Sequence, residues 1–292
     1  MEELSGILVI DKPADWTSHD VVGKLRGLFN LKRIGHAGTL DPMATGVLVV
    51  FVGRATRAVQ FAEADEKEYE AGLRLGLETD TQDIWGETLR QTGRGVTPEA
   101  LEAVLPQFRG AISQIPPMYS AIKRQGKKLY ELARRGETVE REPRPVYIHR
   151  LELFDGAGQD YRLAVTCSKG TYIRTLCHDI GQALETGGVM SALRRTRSGR
   201  FSLTDAVTLS DVEASDNRAA LLLPVETLFM DHPRLELAAD LESRHRNGQA
   251  IQTGAAPGIY RVYSGSTGAF LSLGQVAEEN GLLKAIKSFY SI

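Results

Sequence analysis

Residues 46–52, Gly-Val-Leu-Val-Val-Phe-Val, are the longest apolar run in the chain, and they limit what it can become. The run falls far short of the ~20 residues that cross a bilayer as a helix, so it predicts a strand of the core. Just before it, residues 35–46 hold three glycines and a proline, which predict a tightly turned loop of the kind that carries positioned side chains. Upstream, residues 6–10 read as a short strand entering a Lys12-Pro13 turn. Ser18 reads as the N-cap of a helix whose Val21, Val22, Leu25, Leu28 and Phe29 recur on one face.

Residues 54–64 predict a second helix. Tyr69, Ala71, Leu73 and Leu75 alternate with mostly polar neighbours, so residues 67–76 predict a half-buried strand. Thr97-Pro98 opens another helix as a cap followed by proline. Pro116-Pro117 marks a break, a short helix closes at Gly136, and Pro143-Arg144-Pro145 is extended. A strand near 160–168 precedes a helix at about 171–185 that stops at Gly187-Gly188. Beyond a hinge near 231–233, alternating runs at 259–263 and 269–273 predict a small β-rich appendage of about 60 residues. Helices and strands mix without regular βαβ alternation, which predicts an α+β fold with a mixed, largely antiparallel sheet. The expected division is 1–231 and 232–292.

A net charge of −2 argues against a general polyanion binder, but the charges are segregated. Residues 21–36 carry Lys24, Arg26, Lys32 and Arg33 without an acid, and residues 120–150 hold nine Lys or Arg against four Glu. Arg194, Arg195, Arg197 and Arg200 follow unopposed, while acids gather at 63–70, 78–87 and 205–242. Such patterning can place a basic face on an acidic protein, as binding to a phosphate backbone requires. With no signal peptide evident at the N-terminus, an intracellular, cytoplasmic setting without membrane attachment is expected. Cys167 and Cys177 match no metal knuckle or redox pair, and two free thiols are expected.

No Walker loop, GxGxxG or HExxH occurs, and no metal cluster or cofactor is implied. Judged by spacing alone, Asp41 before Pro42 is a turn former and His36 a hydrogen-bonded loop histidine. Yet the segment Gly-His-Ala-Gly-Thr-Leu-Asp-Pro-Met-Ala-Thr-Gly over 35–46 closely resembles the catalytic motif of the TruB family, the tRNA pseudouridine-55 synthases. The resemblance extends to Asp11-Lys12-Pro13 with Thr17-Ser18, to Lys67-Glu68-Tyr69, and to Gly76 through Asp80-Thr81. It continues in residues 116–123, in 126–136, in Gly170-Thr171-Tyr172-Ile173-Arg174 and in Leu193-Arg194-Arg195, covering residues 6–200 in order. One departure is visible: the family commonly has a glycine where Asp15 stands.

The resemblance implies a pseudouridine-synthase sheet core, a PUA-like C-terminal appendage and an RNA-clasping insertion at about 118–148. It makes Asp41 the essential carboxylate of a uridine isomerisation on an extruded base. Arg174 becomes its partner, since a nearby guanidinium favours a carboxylate in its ionised form. Tyr69 stacks on the uracil, Tyr172 and Leu193 line the pocket, and His36 fills the space the base vacates. Arg194, Arg195, Lys123 and Lys127 would meet the RNA backbone. The implied partner is the T-arm stem-loop of tRNA, bound by a monomer without an obligate protein partner or cofactor. Three readings compete: a tRNA-folding protein without chemistry, a glycoside hydrolase, and a guide-dependent enzyme of ribosomal RNA. A hydrolase normally needs two carboxylates flanking the bond, and the motif supplies one.

Overall fold

The apolar run is a strand because each of its two faces has its own core to fill. The structure, a computed structural model, describes residues 4–290 except 64, 121 and 125, and excepting the side chains of 123, 124 and 128. The chain opens with β1 (Gly6–Lys12), α1 (Ser18–Phe29), β2 (Ile34–Ala37) and β3 (Thr45–Val52). On one face of β1 and β3, Ile7, Val9, Val47, Val49 and Phe51 meet Phe201, Phe229 and Phe289. On the other face, Leu8, Ile10, Leu48 and Val50 meet Val21, Val22 and Leu25 of α1. Burying each such side chain contributes about 1.5–3 kcal/mol, so neither strand has a solvent side.

A 3₁₀ turn (Gly53–Ala58) runs into α2 (Val59–Glu63), so the predicted helix over 54–64 is helical in two steps. Then come β4 (Lys67–Leu75), β5 (Leu77–Thr79), β6 (Thr88–Gln91), α3 (Pro98–Val104) and β7 (Gly110–Gln114). A small hairpin of β8 (Lys123–Arg124) and β9 (Lys127–Lys128) precedes α4 (Leu129–Ala133). The first unit continues with β10 (Arg144–Ala157), β11 (Asp160–Cys167), α5 (Ile173–Ala183), β12 (Gly188–Ser198), β13 (Phe201–Ser202) and α6 (Leu209–Ala214).

The main sheet runs β1-β3-β12-β4-β11-β10-β7, with β2 added to β3 and β13 to β12. Its pairings are antiparallel except for a short parallel contact of β12 with β3. Together with the helices this is the mixed α+β architecture the sequence predicts. The far half of the sheet buries one face only, where Leu73, Leu163, Val165 and Leu193 pack against Ile173, Leu176 and Ile180 of α5. The other face carries ion pairs, among them Arg74–Asp160 at 2.7 Å and Arg197–Glu68 at 2.6 Å.

A second sheet of β14 (Arg234–Leu237), β15 (Ile251–Gln252), β16 (Gly258–Ser264), β17 (Phe270–Val276) and β18 (Leu282–Ser288) follows the 231–233 segment. α7 (Ala239–Arg246) packs on it, and Leu273 and Phe289 join the core under β3. Among the described residues, no helix is long and apolar enough to cross a membrane.

One local expectation is corrected and one segment gains an element. Thr17, not Ser18, caps α1: its hydroxyl accepts from the Asp20 N–H, and the Asp20 carboxylate accepts from the Thr17 N–H. The reciprocal pair satisfies two orphan donors and leaves Ser18 turned inward. The run after Gly188, for which the sequence predicts no element, is a long central strand; Leu193 and Arg195 are buried on one face, and a bulge between Met190 and Ala192 shifts the alternation before them.

Candidate active site

β3 has one edge paired to β1 along its whole length and another shared between two partners. β2 pairs with residues 49–52 and β12 with residues 45 and 46. The loop 38–44 therefore leaves the sheet at a seam where the edge of β3 changes neighbour. Gly46 ends it with φ +98°, and a Cβ there would lie 2.2 Å from the Arg195 carbonyl oxygen. Only glycine permits this left-handed turn and this close approach.

Three buried side chains grip the loop at alternate residues. Arg195, 1% exposed, donates from Nη2 to the Gly38 carbonyl at 3.0 Å and from Nε to the Val47 carbonyl at 2.6 Å. The Ser18 hydroxyl accepts from the Leu40 N–H at 2.9 Å and donates to the Leu40 carbonyl at 3.2 Å. Lys12, 0% exposed, donates to the carbonyls of Pro42 at 3.0 Å, Pro13 at 2.8 Å and Trp16 at 2.5 Å. Burial pulls the Lys12 ammonium down to about 8, against the opposing pull of Asp15 and Asp41. β12, α1 and β1 thus fix the backbone on both sides of Asp41.

The Asp41 side chain, 34% exposed, meets the guanidinium of Arg174 in a bidentate pair, Nε–Oδ2 at 3.0 Å and Nη2–Oδ1 at 3.3 Å. Arg174 is one residue inside α5 and almost fully buried. Its remaining donors go to the carbonyls of Tyr119 at 2.8 Å and Thr81 at 3.1 Å. Asp83 stands 3.8 Å away on the opposite side. Its carboxyl is raised by burial and lowered in turn by the Thr81 hydroxyl and Arg174. A planar fork so occupied cannot rotate, and a lysine cannot reproduce it. The start of α5 is held as well: Gln114, buried, accepts from the Tyr172 N–H at 3.0 Å and donates to its carbonyl at 3.2 Å.

Around this pair stand several of the residues expected from the sequence. Tyr69 of β4 sits opposite Arg195 of β12, and burial pushes its phenol up. Burial also raises the Tyr172 phenol, which Arg174 and Asp41 pull in opposite directions. Leu193 packs with Leu40, Ala44 and Ile173 behind the loop. His36 of β2 makes an edge contact with His19, ring centroids 5.5 Å apart. Burial first, then His19 and Arg195, pulls the His36 imidazole down to about 4.

The expected phosphate contacts change. Arg195 is taken off the surface by its place under the loop, which corrects that expectation. Arg194 is partly exposed but already bonded to Asp11 at 2.8 Å. Arg197 pairs with Glu68 and Arg200 with Asp231, so the arginines that the sequence leaves unopposed are opposed in space. Lys127 is exposed on the β8–β9 hairpin, whereas the side chain of Lys123 lies outside the described residues. Two participants were not anticipated from the residues themselves. Asp83 is one acid among many at 78–87. Tyr119 acts through its backbone, tying the segment after Pro117 to the buried guanidinium.

Residues 26–173 match the family described as TruB family pseudouridylate synthase (N terminal domain). Residues 174–230 match the tRNA pseudouridylate synthase B C-terminal domain, and 233–285 match Pseudouridine synthase II TruB, C-terminal. The chain is 46% identical over 285 residues to tRNA pseudouridine synthase B of Stutzerimonas stutzeri (strain A1501), covering 95% of this chain and 93% of that one. Among solved structures it resembles a Cbf5-Nop10-Gar1 complex, with a TM-score of 0.74 and 28% identity, over 98% of this chain and 85% of that one. An H/ACA RNP bound to a substrate RNA containing 2′-deoxyuridine gives a TM-score of 0.73 and 25% identity, over 98% and 85%.

Proposed function

The chain belongs to the TruB family of pseudouridylate synthases, and from that premise we propose that it isomerises uridine 55 in the T-arm loop of tRNA, with Asp41 as the nucleophile. The relative of 46% identity is named for tRNA, which supports the substrate class. Residues 1–231 form the catalytic domain, with residues 118–148 clasping the RNA and residues 232–292 adding a small RNA-binding domain. The enzyme works as a cytoplasmic monomer without a cofactor.

The reaction breaks the bond from uracil N1 to ribose C1′, turns the base, and joins C5 to C1′. The C5 proton leaves and N1 gains one, so substrate and product have the same composition. A base inside a folded loop must first be extruded, at a cost of a few kcal/mol. Stacking on Tyr69 returns about 1–3 kcal/mol of that. Leu193 and Tyr172 shape the pocket, and His36 occupies the space left behind. Exposed cations of the clasp, Lys127, Arg134, Arg135 and Arg144, meet the phosphates in place of Arg195.

The observation that carries this reading is the bidentate Arg174–Asp41 pair, which aims a partly open carboxylate from a loop whose backbone is otherwise immobilised. In-line attack or proton abstraction at the sugar both need such an oriented carboxylate. Asp41→Asn is expected to lower pseudouridine formation on an unmodified tRNA transcript by roughly a thousandfold or more while RNA binding is retained. Nucleotide-resolved mapping identifies the target. Product formed equally well by the Asn variant would instead place the catalytic group elsewhere.

A further inference from the structure

The segment after Pro117 meets the catalytic arginine through its backbone and brings one side chain in with it. The Tyr119 carbonyl accepts from Arg174 Nη2 at 2.8 Å, and the Tyr119 hydroxyl donates to Asp80 Oδ2 at 3.2 Å. The next residue, Ser120, is 5% exposed, and its hydroxyl makes no hydrogen bond among the described residues. Its main chain is fully used. The N–H donates to the Met118 carbonyl at 2.9 Å, and the carbonyl accepts from the Tyr130 N–H at 3.1 Å. Met118 packs in turn on Leu129 and Leu132 of α4, so Ser120 is fixed between α4 and Arg174.

A buried hydroxyl left unbonded has given up its water without return, and an alanine would fill the same space without that cost. The group beside it is the Tyr172 phenol. Burial raises that phenol, and Ser120 leads the groups that pull it back down, ahead of Arg144 and Arg174, while Asp41 pushes with burial. Gln114 already holds the Tyr172 main chain at both its N–H and its carbonyl. What stays free is the direction in which the phenol donates. A phenol O–H rotates about its C–O bond, and the hydrogen bond that its oxygen accepts decides where it points.

We propose that Ser120 is a positioning residue for Tyr172: its hydroxyl donates to the phenol oxygen and leaves the phenol O–H to donate to the bound nucleotide. The inference rests on the tRNA reading above. It gives the insertion a part in the chemistry besides affinity for RNA, because the residue that orients the pocket tyrosine belongs to the segment that clasps.

A double-mutant cycle of Ser120→Ala and Tyr172→Phe, read in single turnover on an unmodified tRNA transcript, tests the coupling. Ser120→Ala is expected to lower the rate at saturating protein by roughly 3- to 12-fold, the worth of one hydrogen bond, with the RNA Kd changed less than about twofold. In the Tyr172→Phe background the same substitution should cost less than about twofold. An equal factor in both backgrounds, or an effect on Kd alone, overturns the proposal.

A second readout needs no RNA. Protein labelled with 3-fluorotyrosine carries fluorine at nine tyrosines, and the resonance missing from Tyr172→Phe reports that phenol. It should move in Ser120→Ala. A resonance indifferent to the loss of the Ser120 hydroxyl overturns the contact. That spectrum decides the matter even if the wild type forms no pseudouridine, the result that would sink the tRNA reading instead.

Discussion

The two halves of the main sheet use the same backbone to different ends. β1 and β3 are buried on both faces, while β4, β11 and β10 bury one face and cover the other with ion pairs. The first half gains its stability from apolar area, with polar side chains, Asp11 and the buried Lys12, at the end of β1. The second buries apolar area on one face only, and its open face holds charges whose net worth is small. The Asp41 loop emerges where the two meet, anchored by buried cations from both sides: Lys12 from the closed half and Arg195 from β12. A rigid half and an accessible half are both needed at a site that must hold a carboxylate still and admit a nucleotide.

The seam is the most fragile point of this arrangement. Gly46→Ala places a methyl against the Arg195 backbone at a residue with φ +98°. It is expected to cost more than about 3 kcal/mol in chemical denaturation. A loss below about 1 kcal/mol would mean that β3 and β12 separate easily and that the halves are not locked together. A pair of substitutions then tests the halves themselves. Leu48→Ala, at a fully buried position of β3, should cost about 2–5 kcal/mol. Arg162→Ala, on the open face, should shift the denaturation midpoint far less, although it breaks a bidentate pair with Asp155. Comparable losses would erase the distinction.

What the sequence disclosed follows the same division. The closed half was legible because a continuous apolar run, and a helix with one apolar face, are local signals. β4 was legible from the alternation of Tyr69, Ala71, Leu73 and Leu75. The open half was not, since its arginines are balanced by acids distant in sequence: Arg194 by Asp11, Arg197 by Glu68. Adjacent arginines on a strand must point to opposite faces, so Arg194-Arg195 held a hint that one of them was buried. Of the candidate site, Asp41, Tyr69 and Arg174 were reached through family resemblance rather than periodicity. Asp83 had no signal, because an acid becomes distinctive only when a fold removes it from water.

A pH experiment sharpens the comparison further. The His36 imidazole is pulled down to about 4 from the ordinary value of 6.5 by its place beside the seam. The unfolded chain therefore binds the extra proton first, and stability should fall as pH drops from about 6.5 to 4. With solvent screening of a partly exposed ring, the loss attributable to His36 is about 1–2 kcal/mol. His36→Gln should remove that slope from the denaturation midpoint over the same range. An unchanged slope would show that the ring is hydrated and that the loop is looser than its hydrogen bonds imply.

The smallest effect concerns Asp15, where the family commonly carries glycine. Asp15 has φ +64°, a left-handed conformation that costs a side chain of this kind some strain and costs glycine none. Asp15 is also a charge that helps keep the buried Lys12 protonated. Asp15→Gly relieves the strain, adds chain entropy to the unfolded state and removes that charge, so its net effect should lie within about 1 kcal/mol of zero. The two contributions separate by pH. The lowered Lys12 pKa makes stability rise from about pH 8 to 10.5, as the unfolded chain keeps its proton longer. Removing the Asp15 carboxylate lowers the folded value further, so the rise should begin at lower pH in Asp15→Gly and equally in Asp15→Asn, which keeps much of the left-handed tolerance. A shift seen with Gly but not with Asn would assign the effect to the turn rather than to the charge. It would leave Lys12 held by its three carbonyls alone.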